Sequence, residues 1–401
     1  MEFRQSSKLT GVCYEIRGPV VDRANELEAA GHRVLRLNIG NPAAFGFAAP
    51  DAILDEMVRR LPTAHGYSDS RGIRSAREAL VARYAGAGLA DLDVDDVYLG
   101  NGVSELAGMA VQALVDTGDQ VLVPSPDYPL WTAVTRLAGG TAVHYRCDES
   151  NGWQPDLDDI AARITDRTRA IVVINPNNPT GAVYSRALLE GIADLARRHH
   201  LMILADEVYD RIVYEGEHHH IAALAPDVLC LTMSGLSKSH RVAGFRAGWL
   251  AVSGPRQHAR DYLEGLTMLA GMRLCPNSPA QFVIEAALAD DSLDALVAPG
   301  GRLRAQRDAA WRALNAIPGV SCVKPAAALY AFPRLDPEAY PIRDDERFVL
   351  DLLLAEKIHV VQGTGFNWPD PDHFRIVTLP EAGELTVAIT TIGRFLAGYR
   401  Q

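Results

Sequence analysis

The feature that most constrains the fold is the alternation of short apolar runs with helical patterns through the middle of the chain. Stretches with an apolar period near 3.6 residues, such as Val103–Asp116 and Ser185–His199, separate most of the runs. Parallel neighbouring strands need long crossovers, which are usually helical, so this alternation predicts an α/β fold around a mostly parallel, seven-stranded sheet. The predicted strands are Val97–Gly100, Gln120–Pro124, Thr141–Tyr145, Ala170–Asn175, Met202–Asp206, Val228–Ser234 and Gly248–Val252.

The two ends of the chain differ from its middle. Helical patterns at Gly301–Asn315 and Asp344–Glu356 are interleaved with short apolar runs, which predicts a smaller α+β domain. Near the N-terminus an amphipathic stretch, Pro19–Ala30, precedes a short strand, Val34–Ile39. A chain of 401 residues is longer than one core usually supports. The predicted parts are an N-terminal arm with part of the small domain (residues 1–45), a large domain (residues 46–290) and the small C-terminal domain (residues 291–401).

Charge and composition narrow the classes of partner. The net charge of −11 argues against nucleic acid and anionic membranes as partners. No apolar run approaches the length of a membrane span, and we expect no secretory leader. The five cysteines are widely spaced and form no CxxC pair, which argues against disulfides and a zinc knuckle and favours a cytoplasmic location. The run His218–His220 is interpreted as a solvated loop, and no metal site is expected.

The strongest chemical signal is the segment Ser234–Lys238. Lys238 follows an apolar strand and lies among small residues, so its amine is expected to be partly desolvated and available for imine chemistry. Arg246 follows eight residues later, where it is well placed to pair with a phosphate group. A single lysine after a strand is usually solvated, but the small residues and the arginine together favour a catalytic lysine.

This segment resembles the lysine signature of the class I and II aminotransferases, which have fold-type I and depend on pyridoxal 5′-phosphate (PLP). Longer segments, including LNIGNPAAFGF, PSPDYPLW and VQGTGFNWP, resemble the bacterial branch of the family that exchanges amino groups between alanine and glutamate. The shared order and spacing of the motifs make the resemblance specific. Four further motifs similar to those of the family are the phosphate loop Gly102–Glu105, the NPxNPTG motif Asn175–Gly181, the D-E-x-Y motif Asp206–Tyr209 and the carboxylate-arginine motif His373–Ile376.

The resemblance implies a PLP enzyme that is a homodimer with shared active sites. Lys238 carries PLP as a Schiff base and shuttles a proton, and Asp206 keeps the pyridine nitrogen protonated, as an electron sink requires. Asn178 and Tyr209 contact the ring hydroxyl, and Tyr128 stacks on the ring. The residues implied at the phosphate are Gly102, Val103, Ser104, Ser237 and Arg246 of one subunit and Tyr67, which reaches the phosphate of the partner subunit.

The implied substrates are amino acids and 2-oxo acids, and the implied reaction converts L-alanine and 2-oxoglutarate to pyruvate and L-glutamate. Arg375 anchors the α-carboxylate, with help from Asn178 and the backbone of Gly40. One pocket must accept both a methyl and a carboxyethyl side chain, so a cation on a mobile element suits the second carboxylate of glutamate. Arg17 in the N-terminal arm is the first candidate and Arg273 the second, and both also fit a description as surface arginines.

The sequence leaves several alternative functions open. The sequence departs from the family pattern at Ala326–Ala327 and at His240, and both departures bear on substrate preference. An aspartate, branched-chain or broad-range aminotransferase is one alternative. A PLP-dependent β-lyase on the same scaffold is another, since cofactor residues do not separate these reactions. A non-enzymatic regulator with this fold is a third alternative, although the acidic charge and the lack of room for a DNA-binding domain argue against it.

Overall fold

The structure, a computed structural model, describes residues 3–10, 12 and 18–401. Its strands are β1 Leu35–Arg36, β2 Val97–Gly100, β3 Gln120–Ser125, β4 Thr141–Asp148, β5 Gln154–Pro155, β6 Thr168–Ile174, β7 Met202–Asp206, β8 Cys230–Gly235, β9 Gly248–Ser253, β10 Val320–Ser321, β11 Tyr330–Ala331, β12 Arg334–Leu335, β13 Ile358–His359, β14 Val361–Gln362 and β15 Phe374–Val377.

The helices of the described chain range from one turn to nearly five. They are α1 Pro19–Ala29, α2 Asp51–Arg60, α3 Arg74–Gly86, α4 Val103–Leu114, α5 Leu130–Ala138, α6 Leu157–Arg163, α7 Arg186–His199, α8 Ile221–Leu224, α9 Arg260–Met272, α10 Ser278–Gln281, α11 Ile284–Leu288, α12 Asp294–Val297, α13 Arg302–Asn315, α14 Asp345–Glu356 and α15 Ala382–Gly398. None of these described helices is both long and apolar enough to span a membrane.

The central sheet has the strand order β2-β9-β8-β7-β6-β3-β4-β5. Strands β4, β3, β6, β7 and β8 pair in parallel, whereas β9 runs antiparallel to both of its neighbours and β5 runs antiparallel to β4. All seven predicted strands lie in this sheet. The predicted count was wrong by one, because β5 adds an eighth strand of two residues, too short to show any periodicity.

The strand order places a crevice beyond the carboxyl ends of the parallel strands. The chain leaves β3 toward β4 on one side, and later returns to β6 on the other side of β3. Adjacent loops therefore diverge between β3 and β6, and open α/β sheets bind ligands at such a switch point. The segments that follow β3, β6, β7 and β8 all begin at this edge.

Apolar packing explains why the sheet is buried on both faces. Along β6, Ile171 and Val173 pack into one core, whereas Ala170, Val172 and Ile174 pack into a second core on the opposite face. This alternation follows from the two-residue period of a strand, and both faces are apolar because helices cover both.

A third core joins the N-terminal segment to the C-terminal part of the chain. Val20 and Leu27 of α1 pack in the same cluster as Phe348 and Leu352 of α14. Strand β1 also pairs in parallel with β13. The two ends of the chain therefore share one core, and the predicted domains and their bounds stay predictions.

Candidate active site

A cavity of about 290 Å³ opens at the carboxyl ends of the central strands. Its lining combines a lysine, a carboxylate, an arginine, hydroxyl groups and aromatic rings, and it contains most of the residues that the sequence predicted. The lining residues are Ile39, Val103, Ser104, Tyr128, Leu130, Ile174, Asn178, Asp206, Val208, Tyr209, Gly235, Ser237, Lys238, Ala243, Arg246 and Tyr330.

Lys238 projects into this cavity from the segment that follows β8. Its Nζ donates a hydrogen bond to the backbone oxygen of Gly40, 2.6 Å away. A side chain at Gly40 has no room, because an added Cβ would lie 2.2 Å from the Tyr330 hydroxyl oxygen. The close packing of Gly40, Lys238 and Tyr330 keeps the lysine amine inside the cavity. The amine therefore lies beside the Gly40 backbone, which a substrate can also contact.

Asp206 ends strand β7 and presents a buried carboxylate to the cavity. Burial raises the pKa of this carboxyl to about 6, although a hydrogen bond from Trp131 opposes the shift. Trp131 Nε1 donates from 3.0 Å, and the Val208 amide donates from 3.4 Å. Both donors are neutral, so a cationic ring nitrogen would be a favourable further partner for the carboxylate.

The start of α4 forms a cradle for an anion. Gly102 precedes the helix with φ 85°, and no side chain caps the first amides. Arg246 lies over this turn and donates from Nη2 to the Asn101 carbonyl oxygen at 3.0 Å. The φ of 85° favours glycine at this position, and a Cβ there would also displace the end of the Arg246 side chain, whose Nη2 would lie 2.2 Å away. Open helix amides, a guanidinium and the nearby Ser104 and Ser237 hydroxyls suit a phosphate group.

Arg375 is fully buried on β15 at the other side of the cavity. Its Nη1 donates to Asn178 Oδ1 at 3.1 Å, and its Nη2 donates to the Asn38 carbonyl oxygen. The guanidinium carbon lies 4.4 Å from the centre of the Tyr330 ring and 4.5 Å from that of Phe366. Two aromatic faces and two hydrogen-bond acceptors hold the Arg375 guanidinium in one orientation, as bidentate recognition of a carboxylate requires.

Tyr209 brings a second polar group to the cavity. Its hydroxyl lies 2.8 Å from the Tyr330 hydroxyl, and burial raises the pKa of Tyr209 well above its usual range. The phenol is therefore neutral and retains a proton to donate. Tyr128 lines the same space from the segment after β3, where its ring can cover a flat ligand.

The sequence analysis did not single out Trp131 and Tyr330, which contact the predicted residues. Trp131 lies inside the segment PSPDYPLW, and Tyr330 closes the Ala-Leu-Tyr triplet, so both stand within motifs. A motif reveals where these residues stand in the chain. It does not reveal that the indole of Trp131 reaches Asp206, 75 positions further along the chain.

Tyr67 and Arg273, two further predicted residues, are absent from the lining of the cavity. Tyr67 is 83% exposed, as expected for a side chain that reaches another subunit. Arg17 lies outside the described residues, and its role stays a prediction. The Arg273 guanidinium forms an ion pair with Glu105 and donates to the Ser70 and Leu99 carbonyl oxygens, so it is already engaged within its own chain.

The interpretation of His218–His220 as a solvated loop was wrong. The side chains of His218 and His220 are mostly buried and approach the buried carboxylate of Glu207. Consecutive histidines in a loop are usually solvated, but here the segment that contains them packs against Glu207 at the end of β7.

Comparisons with known proteins agree with this architecture. A family model described as aminotransferase class I and II matches residues 32–392. An alanine aminotransferase of Mycobacterium tuberculosis (strain H37Rv) is 64% identical over 402 residues, covering 100% of this chain and 94% of the relative. The glutamate–pyruvate aminotransferase AlaA of Escherichia coli K12 is 59% identical over 401 residues, covering 100% and 99%. A crystal structure of an aminotransferase from Escherichia coli matches with a TM-score of 0.99 and 58% identity, and both chains are covered completely. The chain belongs to the class I and II aminotransferases.

Proposed function

We propose that this protein is a PLP-dependent aminotransferase that converts L-alanine and 2-oxoglutarate to pyruvate and L-glutamate. The observation that carries the proposal is the arrangement around one cavity of a lysine amine, a buried carboxylate, an anion cradle and a fixed arginine fork. Each of these groups matches a different part of PLP or of an amino acid.

The described residues fit PLP. The glycine at position 102 leaves space that a Cβ would fill, and the open amides of α4 with Arg246 accept a phosphate. Asp206 faces the same cavity with a carboxylate that has only neutral donors among its hydrogen bonds, and it would hold a protonated pyridine nitrogen. Asn178 and Tyr209 would donate to the ring hydroxyl, and Tyr128 would cover the ring.

The side chains of this chain divide the work of the reaction. When bound, PLP supplies an electron sink that makes the Cα–H bond of the amino acid acidic. Arg375 binds the α-carboxylate and thereby orients that bond. With PLP bound, Lys238 Nζ would take the proton from Cα of the amino acid and pass it to C4′, a task suited to an amine that projects into the cavity.

The choice of alanine and glutamate as amino donors rests on relatives. Chains 64% and 59% identical over this whole sequence are named alanine aminotransferase and glutamate–pyruvate aminotransferase. Arg17 remains our proposed contact for the second carboxylate of glutamate. Because Arg273 is engaged by Glu105, Arg273 is the weaker candidate.

The proposal includes a cytoplasmic homodimer with shared active sites. Tyr67 supports the shared site, because a tyrosine with 83% exposure has no role in its own subunit's cavity. In the dimer we expect it to reach the phosphate in the partner subunit.

A half-reaction with a single substrate tests the function. PLP-loaded protein mixed with L-alanine alone is expected to release one pyruvate per active site and to hold pyridoxamine phosphate, and 2-oxoglutarate should then restore PLP. Lys238→Ala is the control: it should release no pyruvate, yet still bind PLP noncovalently through the phosphate cradle and Asp206.

Two results would contradict this proposal. Conversion by aspartate or branched-chain amino acids, with alanine inert, would move the assignment to another aminotransferase. Release of ammonia from a β-substituted amino acid, with no pyridoxamine phosphate formed, would indicate a β-lyase.

A further inference from the structure

A cluster of three potential metal ligands lies outside the cavity. His218 Nε2 is 3.5 Å from Glu207 Oε2, and His220 Nδ1 is hydrogen bonded to the same oxygen. The exposed fractions of the side chains are 2% for Glu207, 7% for His218 and 15% for His220. The cluster is therefore buried, unlike an ordinary solvated run of histidines.

The local backbone explains how two histidines of the run come to share one side. His220 has an extended conformation, with φ −70° and ψ 116°. Side chains two residues apart on an extended chain point the same way, so His218 and His220 face Glu207 together. His219 points elsewhere, with its Nδ1 4.0 Å from Glu217 Oε1. Glu207 follows the last residue of β7, which fixes the carboxylate opposite the two rings.

One ligand atom in the cluster is weakly engaged. His218 Nε2 is buried, and its contact with Glu207 Oε2 at 3.5 Å is too long for a good hydrogen bond. The contact from Asn175 Nδ2 to His218 Nδ1 is 3.4 Å, at the outer limit of a hydrogen bond, so it does not fix the tautomer of the ring. A buried imidazole nitrogen with only a long contact is poorly satisfied, so a ligand at that atom is favourable.

The spacing of the ligand atoms suits one ion. One atom from each of Glu207, His218 and His220 lies within 4.8 Å of the others. Ligand atoms on a tetrahedral zinc ion are about 3.3 Å apart. Small side-chain rotations would therefore bring the three ligand atoms to the distances that one ion requires. Two imidazoles and one carboxylate favour zinc-like transition metals over magnesium or calcium, which prefer oxygen ligands.

We propose that Glu207, His218 and His220 form a binding site for a divalent transition-metal ion of the Zn²⁺ or Co²⁺ type, with water in the fourth position. The ion ties the histidine segment to the end of β7, next to Asp206. It does not reach the cavity, since none of its three ligands lines that space. The site is therefore structural, and it stands whether or not the proposed substrates are correct.

Co²⁺ binding to the PLP-loaded protein, without an affinity tag, tests the site directly. Chelator-treated protein is titrated with Co²⁺ alone and followed by visible absorption and equilibrium dialysis. The expected result is one Co²⁺ per chain, with the intense visible band of a four-coordinate ion, and displacement of that band by Zn²⁺.

Matched variants separate the cluster from general metal binding. His218→Ala and His220→Ala should lose the band, whereas His219→Ala should keep it, because the three positions are consecutive and only His219 points away. Absorbance of bound PLP and circular dichroism confirm that each variant is folded. Absence of a band in the parent protein would show that the cluster binds no such ion, and an equal loss in His219→Ala would place the ion elsewhere. Either result overturns the proposal.

Discussion

At the scale of single residues, the chemistry depends most on how Asp206 is placed. Its carboxylate is buried, and the hydrogen bonds it receives from the described residues come from the neutral donors Trp131 and Val208. A negative charge in this setting interacts strongly with a cation, because little water screens the pair. The side chain is thus suited to keep a ring nitrogen protonated.

Asp206→Asn should lower the rate of the alanine half-reaction by about 100-fold or more, as when one preorganised electrostatic contact is removed. The amide keeps the shape and an acceptor for Trp131, so the fold and PLP attachment should persist. Stopped-flow absorbance gives the rate, and borohydride reduction followed by peptide mapping shows whether PLP is still attached at Lys238. A variant with near-parental rates would make Asp206 a structural residue only.

Residue-level prediction from sequence located Lys238 and Asp206 at or just after the end of a strand, and both side chains line the cavity. Their catalytic roles stay predictions. The sequence could not show pairings between distant segments, such as Trp131 with Asp206, because apolar periodicity contains no information on side-chain direction across elements. His218 and His220 were misjudged for the same reason, since composition alone does not show which face a loop buries.

At the scale of elements, two distant segments are bonded together beside the cavity. The segment after β3 contains Asp127 and Tyr128, and the segment after β14 contains Phe366 and Asn367. The Asp127 amide donates to the Phe366 carbonyl oxygen at 2.9 Å, and Asn367 Nδ2 donates to Asp127 Oδ1 at 2.7 Å. Because Phe366 also packs on Arg375, this contact relates the position of Tyr128 to that of the carboxylate anchor.

The contact at Asp127 should make stability depend on pH. Complete burial raises the pKa of Asp127 to about 7, although Asn367 and Thr132 donate hydrogen bonds to it. A raised pKa means that the folded state holds the proton more tightly than the unfolded state, whose pKa is about 4. The stabilisation is therefore complete below about pH 4 and is lost as the pH rises to about 7, by a few kcal/mol.

Asp127→Asn removes this titration, so the fall of Tm between pH 5 and pH 8 should be smaller in the variant than in the parent. Thermal unfolding of both proteins at several pH values gives the difference in Tm between parent and variant. Groups that titrate equally in both proteins do not contribute to this difference. Asp166→Asn, the same substitution at an exposed position, serves as the control. Parallel curves for the parent and Asp127→Asn would show that Asp127 does not change protonation on unfolding.

Prediction at this scale was accurate where an apolar run ends sharply. The bounds of β2 and β7 match the prediction, because the apolar run of β2 ends at Gly100 and that of β7 ends at Asp206. Strand β5 was missed because its two residues pair with β4 only through a tight turn that ends in Gly152 at φ 65°. A strand of this length is defined by its partner and not by its own sequence.

At the scale of the whole molecule, exposed apolar side chains point to the subunit contact. Leu61 and Tyr67 on one segment, and Met268 and Met272 on α9, are all largely exposed. The two segments are joined where Arg273 Nη2 donates to the Ser70 carbonyl oxygen at 3.1 Å. Exposed apolar groups on adjoining segments are typical of an interface. The sequence predicted the family and the sheet, but a single chain does not show which residues a second copy covers.

Mixed dimers would test whether the sites are shared. A dimer of one Tyr67→Ala subunit and one Lys238→Ala subunit has one site that combines Lys238 of the first with Tyr67 of the second, and one site that lacks both. Tyr67→Ala alone should need about tenfold more PLP, as expected for a lost hydrogen bond to a charged group, and Lys238→Ala alone should be inactive.

Mixed dimers purified through two different tags should therefore recover about half of the parental activity at limiting PLP, because one of two symmetric sites is intact. A mixed dimer of Lys238→Ala with Asp206→Ala is the matched control, since both residues belong to the same subunit's cavity and neither site is restored. If the Tyr67 pair shows no more activity than this control, Tyr67 acts within its own subunit, and the shared-site dimer is wrong.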